Sequence, residues 1–220
     1  MEPPPPLRVG LLALKSPFQG LPPVLDLVTS FLLPPTIDRA VYRSLHRVLA
    51  VYEPSRPYTV GAMDGSAAAG RLGLVQWLHA NRSEGCSPAA FIGAAAHRHF
   101  TVLEWLYEHY PQVADPAREL VVAAQHSRIE ALSFLLPRVR REQVEPALEA
   151  AAANGHVAVL EHLLNRPYSM RRSLLAAAEN GRTQVVQFLL GRGYTDRYML
   201  VNPALIKAAE GGHCDVVELL

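Results

Sequence analysis

The chain has 220 residues, half of them hydrophobic, and a formal net charge of +1. Near-neutrality argues against broad electrostatic capture of nucleic acid or membrane, and no apolar run approaches the roughly 20 residues a membrane span needs. The two cysteines, Cys86 and Cys214, are expected as reduced, small apolar fillers, which points to an intracellular setting, cytoplasmic or nuclear.

Eleven of the eighteen prolines fall in the first 57 residues. Residues 1–20 read as an irregular or disordered leader, because the run Pro3 to Pro6 favours polyproline II and lacks ladder donors. Val9 to Leu14 is short for a signal-peptide core and has no basic leader. Two helices are expected in residues 21–57. Pro22-Pro23 open the first, Val24, Leu25, Leu27, Val28, Phe31 and Leu32 form its apolar face, and Pro34-Pro35 stop it. Thr36 caps the second, which runs through Val41, Leu45, Val48 and Leu49 to Tyr52. This pair reads as a helical cap over the end of whatever stacks behind it. Alternatively, Leu21-Pro22-Pro23-Val24-Leu25 followed by Ser30-Phe31-Leu32 resembles the start of an F-box, the module that docks substrate receptors onto ubiquitin ligases, although that motif's basic-aromatic ending does not follow.

Residues 58–220 repeat. Equivalent turns fall at Gly70, Arg98, Ser127, Gly155, Gly181 and Gly212, spaced by 28, 29, 28, 26 and 31 residues. Counting each turn as zero, places −4 and −3 are alanine in eleven of twelve cases, the exception being Ser66. Place −7 is always large and apolar: Met63, Phe91, Leu120, Leu148, Leu174, Leu205. Places +4 and +5 are aliphatic in every repeat, and place +8 is always Leu. Each unit therefore reads as a short helix, a tight reversal and a second amphipathic helix, too small to bury its own stripe and completed by its neighbours. Glycine suits the left-handed turn, so Arg98 and Ser127 predict strained or re-routed turns. Ser87-Pro88, Asp115-Pro116, Glu145-Pro146 and Asn202-Pro203 read as openings of first helices. Cys86 and Cys214 lie four repeats apart, too far for a bridge. The chain stops about where the sixth second helix ends, so a truncation or a fragment of a longer array is expected.

Gly155-His156…Val159-Leu160…Leu163-Leu164, Gly181-Arg182…Val185-Val186…Leu189-Leu190 and Gly212-His213…Val216-Val217…Leu219-Leu220, each behind its alanine pair, resemble ankyrin repeats. The resemblance covers about three quarters of the chain. It implies an all-α, ankyrin-type α-solenoid of about six helix-turn-helix repeats behind an N-terminal helical cap. No repeat has the family's full Thr-Pro-Leu-His tetrad, and the mean spacing of about 28 falls short of the usual 33 or so. Both helices are intact, so the shortfall is in the connecting loops and almost no β-structure is expected.

Such arrays bind other proteins through first helices and inter-repeat loops. Places −5, −2 and −1 of each first helix are expected to face outward, which makes Gln125, His126, Asn154, Glu179 and Asn180 candidate contacts. The loops lean basic: Arg138, Arg140 and Arg141; then Arg166, Tyr168, Arg171 and Arg172; then Arg192, Tyr194, Arg197 and Tyr198. Against eight arginines stand Glu142, Glu145 and Asp196. Arg and Tyr are frequent energetic centres of interfaces, so Arg140, Arg141, Tyr168, Arg171, Arg172 and Tyr194 are candidates for holding an acidic segment of a protein partner. Solvated helix faces and loops would have the same composition with no partner.

No catalytic constellation is legible. Arg71, His99, Arg128, His156, Arg182 and His213 all occupy place +1, a periodicity explained by repeat packing and turn chemistry. His97-x-His99 lacks a third ligand of fixed position, Gly61, Gly65 and Gly70 lack the context of a phosphate loop, and no serine sits in an elbow motif. The expected function is a non-enzymatic, monomeric protein-binding scaffold without cofactor or metal. The alternative is an adaptor bringing an array-bound client to a ubiquitin ligase.

Overall fold

The structure, a computed structural model, describes residues 36–45, 57–164, 168–192 and 197–220, the first four of the last segment by backbone only. The leader, the first expected helix and the F-box-like stretch lie outside these residues. Among them the secondary structure is helical, with no strand. The chain divides into two compact units, residues 1–66 with 71–87 and residues 67–70 with 88–220.

The second unit holds α4 (Pro88–Ala96), α5 (Phe100–His109), α6 (Pro116–Gln125), α7 (Ile129–Leu135), α8 (Glu145–Asn154), α9 (Val157–Leu163), α10 (Arg171–Glu179), α11 (Thr183–Gly191), α12 (Arg197–Glu210) and α13 (Cys214–Leu219). Before it in the chain come α1 (Asp38–Tyr42), α2 (Val60–Ala68) and α3 (Leu72–Asn81). Within the second unit α4, α6, α8, α10 and α12 pack in sequence as one layer, and each is backed by the helix that follows it. Of the twelve side chains at places −4 and −3, only Ala209 is exposed; the other eleven are buried. Residues this small let helix axes approach to about 8–10 Å. The stripe on the second helices is equally well covered, with Val102, Leu103, Leu132, Val159, Leu160, Val185 and Val186 buried. In the last hairpin Leu205, expected in the core, is instead exposed.

All six expected turns are left-handed at place zero, with φ of 69° at Gly70, 68° at Arg98, 56° at Ser127, 84° at Gly155, 65° at Gly181 and 71° at Gly212. Arg98 and Ser127 thus keep the common path and carry the strain, which costs roughly 1–2 kcal/mol for a residue with a Cβ. The pattern of bonds explains why the path is fixed. At Gly155 the amide bonds the Ala152 carbonyl and the next amide, of His156, bonds Ala151. The same pair of bonds closes the turns at Gly181 and Gly212, which is the Schellman arrangement. Each alanine pair therefore both spaces the helices and supplies the carbonyls that end its own helix.

Two expected openings differ. The Asp115 side chain does cap α6 by accepting from the Arg118 amide at 3.2 Å. Asn202-Pro203, however, opens nothing: α12 runs unbroken from Arg197 with Pro203 inside it. Pro203 lacks the amide that would bond the carbonyl of residue 199, so one helical bond is missing while the helix continues. Cys214 is exposed rather than a core filler, whereas Cys86 is half-buried; both are free thiols.

In the first unit the second expected helix is cut short. It starts after Ile37 rather than at Thr36 and ends at Tyr42, because Ser44 turns left-handed at φ 54°. The Ser44 amide bonds Val41 and the Leu45 amide bonds Ala40, the bonding of the array turns. Ser44 lies 26 residues before Gly70, a spacing already present in the array. Ile37, Ala40 and Val41 fill places −7, −4 and −3, and all three are buried. Leu45, expected on the apolar face of a longer helix, is 45% exposed. The helix Asp38–Tyr42 thus repeats the geometry of a first helix of the array.

Candidate functional site

The residues at place +1, which no site reading used, link neighbouring hairpins throughout the second unit. Arg128 Nε donates to the Ala96 carbonyl at 2.7 Å, His156 Nε2 to Gln125 at 2.8 Å, Arg182 Nε to Ala153 at 2.9 Å and His213 Nε2 to Glu179 at 2.9 Å. His99 likewise bonds the Ala68 carbonyl. Every acceptor stands at place −2 of the preceding hairpin, so these side chains satisfy carbonyls that the ends of the first helices leave open. Arg and His interchange here because both offer an N–H. His99 is held below the usual imidazole range by burial and by His97 beside it, only partly opposed by its bond to Ala68. His97 Nδ1 meets the Gly93 carbonyl at 2.9 Å. Among the described residues no group of three His, Cys, Asp or Glu side chains converges as a metal site.

The candidate contacts fall into two groups. Gln125, His126, Asn154, Glu179 and Asn180 all sit at the C-terminal ends of α6, α8 and α10, and all are exposed. Part of their chemistry is local: Asn154 Nδ2 donates to Ala150 O at 2.8 Å, Asn180 Nδ2 to Ala176 O at 2.9 Å, and the Glu179 carboxylate lies 3.6 Å from Lys207. Asn154 also edges a cleft of about 410 Å³ between two successive turns, with Gly181 and Arg182 opposite. Place −1 is therefore available at the turn edge in every repeat, whereas place −2, expected outward throughout, runs from buried at Ala96 to exposed at Gln125 and Glu179. Place −5 is not outward: it is half-buried in every repeat, and a Cβ on Gly93 would lie 2.6 Å from that of Ala68.

Arg140, Arg141, Tyr168, Arg171 and Arg172 belong to the other end of the first helices. From Arg171 to Asn180 the chain climbs nearly the whole of α10, roughly 14 Å at 1.5 Å per residue. The turn edge and the loop edge are thus separate surfaces. At the loop edge the link from α7 to α8 is not a plain loop but two 3₁₀ turns, Leu136–Arg138 and Arg141–Gln143, started by Pro137 and held by a bond from the Arg140 amide to Gln143 Oε1 at 2.8 Å. Leu136, Pro137, Val139, Val144 and Leu163 wall a groove of about 440 Å³ beside this link, and Arg141 and Tyr168 complete it. The Arg141 guanidinium lies 5.6 Å from the Tyr168 ring centre, and that of Arg138 lies 3.7 Å from the Phe134 ring centre. Arg140, Arg141, Arg171 and Arg172 are exposed and Tyr168 is half-buried. Tyr194 and Arg166 lie outside the described residues.

A second feature had no reading in the sequence. Glu119 is completely buried at place −8, where the other repeats carry only Ala or Ser. Its carboxylate accepts from the Tyr107 hydroxyl at 2.5 Å and from the Asp115 amide at 2.8 Å. Burial pushes its pKa up, and these two donors offset only part of that; burial and the same contact raise Tyr107 as well. The signal was a lone carboxylate in a column of small residues.

Among curated proteins nothing matches the chain. The family profile described as ankyrin repeats, in three copies, matches residues 148–220. No described helix is long and apolar enough to cross a membrane. The match falls on hairpins whose turns, small-residue pairs and +1 donors recur upstream of it, so residues 148–220 match the ankyrin-repeat family and the described residues are helical hairpins consistent with an ankyrin-type repeat solenoid.

Proposed function

We propose that this array is a non-enzymatic, monomeric scaffold that holds an acidic segment of another protein, with the loop edge as the main contact. The observation that carries this is the gathering of exposed Arg140, Arg141, Arg171 and Arg172 on the loop edge, where Arg141 and Tyr168 line an open groove. Arg and Tyr beside an open groove have the composition in which the energetic centres of interfaces are enriched. Nucleic acid is a poorer fit, since the groove walls are aliphatic rather than a platform of aromatic faces. The turn-edge residues Gln125, His126, Asn154, Glu179 and Asn180 supply a second, polar contact. Residues 36–45, built like an array helix, support the cap reading of the N-terminal pair over a ligase-docking one.

Affinity capture from cells with the full chain and with a variant reversed at Arg140, Arg141, Arg171 and Arg172 tests this. The reversed chain is expected to keep its helical signal and lose its main partner. Equal recovery of the same partner by both chains would remove the reading. Deleting residues 1–57 is expected to leave capture intact; loss of ligase subunits with retention of the client would restore the adaptor alternative.

A further inference from the structure

We infer that Ser169 is a phosphoryl acceptor for a protein kinase with an acidic substrate groove, and that the phosphate closes the loop edge to acidic partners. The second half rests on the protein-binding reading above and supplies its regulation. The sequence carries the pattern twice. Arg166-Pro167-Tyr168-Ser169 and Arg192-Gly193-Tyr194-Thr195 each open eleven places after a turn, and Arg171 and Arg197 follow two residues past the hydroxyl. Each hydroxyl thus has an arginine three places before it and another two places after it. Flanking charge of this kind is what an acidic substrate groove selects.

The fold decides which hydroxyl of the first copy is offered. Ser169 is exposed, whereas Tyr168 is half-buried with the Arg141 guanidinium 5.6 Å from its ring centre. Met170, next in the chain, is buried and pins the segment ahead of α10. Other serines are worse placed. Ser173 is buried, the hydroxyls of Ser87 and Ser133 donate to Asp64 and to the Ile129 carbonyl, and exposed Ser83 is followed by Glu84. In the transfer, Ser169 Oγ bonds the γ-phosphorus of a nucleoside triphosphate. The bond from that phosphorus to the bridging oxygen breaks, the nucleoside diphosphate leaves with the electron pair, and the hydroxyl proton passes to a base of the kinase. The phosphate then stands two residues ahead of α10, whose N-terminus has no side-chain cap. Open amides and the neighbouring Arg171 and Arg172 favour an anion there. Segments 136–145 and 168–172 carry five arginines against Glu142 and Glu145, and a group of charge about −2 offsets most of that excess.

The test treats the intact chain and Ser169→Ala with an arginine-directed kinase, the catalytic subunit of cyclic-AMP-dependent protein kinase, and magnesium ATP. Phosphopeptide mass spectrometry reads the site, and fluorescence anisotropy of a labelled oligoglutamate reads the loop edge. Phosphate is expected on Ser169, with oligoglutamate bound roughly tenfold more weakly by the phosphorylated chain. Ser169→Ala, a change at an exposed position, should hold the probe like the untreated parent both before and after treatment. Arg166→Ala should slow incorporation at Ser169 severalfold. No phosphate on Ser169, or a phosphorylated chain that holds oligoglutamate as tightly as the untreated one, would overturn the inference. Neither result touches the broader reading, which stands while natural-partner capture is still lost on reversal of the four arginines. Capture unchanged by that reversal removes the scaffold reading, and with it the switch, whatever happens at Ser169.

Discussion

In the first unit a carboxylate joins each hairpin to the next. Asp38 accepts from the amide and hydroxyl of Thr59 at 2.8 and 2.5 Å, and Asp64 accepts from the amide and hydroxyl of Ser87 at 2.9 and 2.6 Å. Both carboxylates stand at place −6, and both partners stand eleven residues before a turn. In the second unit the recurring link runs the other way: a cationic or imidazole donor at place +1 reaches back to a carbonyl at −2. At its own place +1 the first unit has Arg71, which bonds the Ser44 hydroxyl instead of a carbonyl. The two units share turn geometry and buried small residues but differ in the polar contact laid over them. Stacking is therefore set by shape and by the turn, and the polar link can move between columns as long as each open backbone group finds a partner.

If the turn is the shared determinant, breaking it should cost most. Gly181→Ala places a Cβ at φ 65° and 2.6 Å from the His213 ring. The left-handed strain of about 1–2 kcal/mol is joined by a displaced His213 and its bond, for about 3 kcal/mol in all. The reverse change at Arg98, where the strain already exists, should stabilise: Arg98→Gly is expected to gain about 1 kcal/mol, the relief being partly offset by glycine's entropy. Denaturant melts of both variants settle this. A neutral Gly181→Ala would mean that the turns tolerate any residue and that the common path has another cause.

The two kinds of link can be compared directly. Asp64→Ala strips the partner from an amide and a hydroxyl together, and about 2 kcal/mol is expected. His156→Ala strips one carbonyl that water can still reach, and about 1 kcal/mol is expected. The ordering is the informative result. If His156→Ala proved the more damaging, the imidazole would be acting through packing over the turn rather than through its bond to Gln125.

The array turns were legible because glycine, alanine pairs and a fixed leucine recur on one period, and burial follows from that recurrence. Ser44 was not: its turn has no glycine, and Leu45, Val48 and Leu49 continue a helical pattern past it. The +1 column was visible as an alternation of Arg and His, yet its acceptor is a backbone carbonyl of the previous repeat, which carries no letter in the sequence. The candidate contacts were legible as residues but not as two edges, because the distance along α10 that separates Arg171 from Asn180 appears only once the helix is drawn. Val139 and Leu163, which wall the groove, read as ordinary aliphatics in a link and a helix.

Glu119 offers the smallest effect and the sharpest sign. Its folded pKa is raised from the ordinary 4.5, chiefly by burial. Between that ordinary value and the raised one the folded chain binds more protons than the unfolded chain, so this group lowers stability as pH rises through the window and adds no further slope above it. Glu119→Gln removes the titration while keeping both partners: the amide oxygen accepts from Asp115, and the amide nitrogen donates to the Tyr107 oxygen. The variant should match the parent in acid and become the more stable chain as pH rises toward neutrality, by an amount set by the size of the shift. Tyr107→Phe should act in the opposite direction, costing more at neutral pH than in acid, because it takes a donor from a buried carboxylate. A parent that gains on Glu119→Gln with rising pH would mean that Tyr107 and Asp115 outweigh burial. Glu119 would then be a carboxylate whose ionised form the second unit stabilises, held by the Tyr107 hydroxyl and the Asp115 amide.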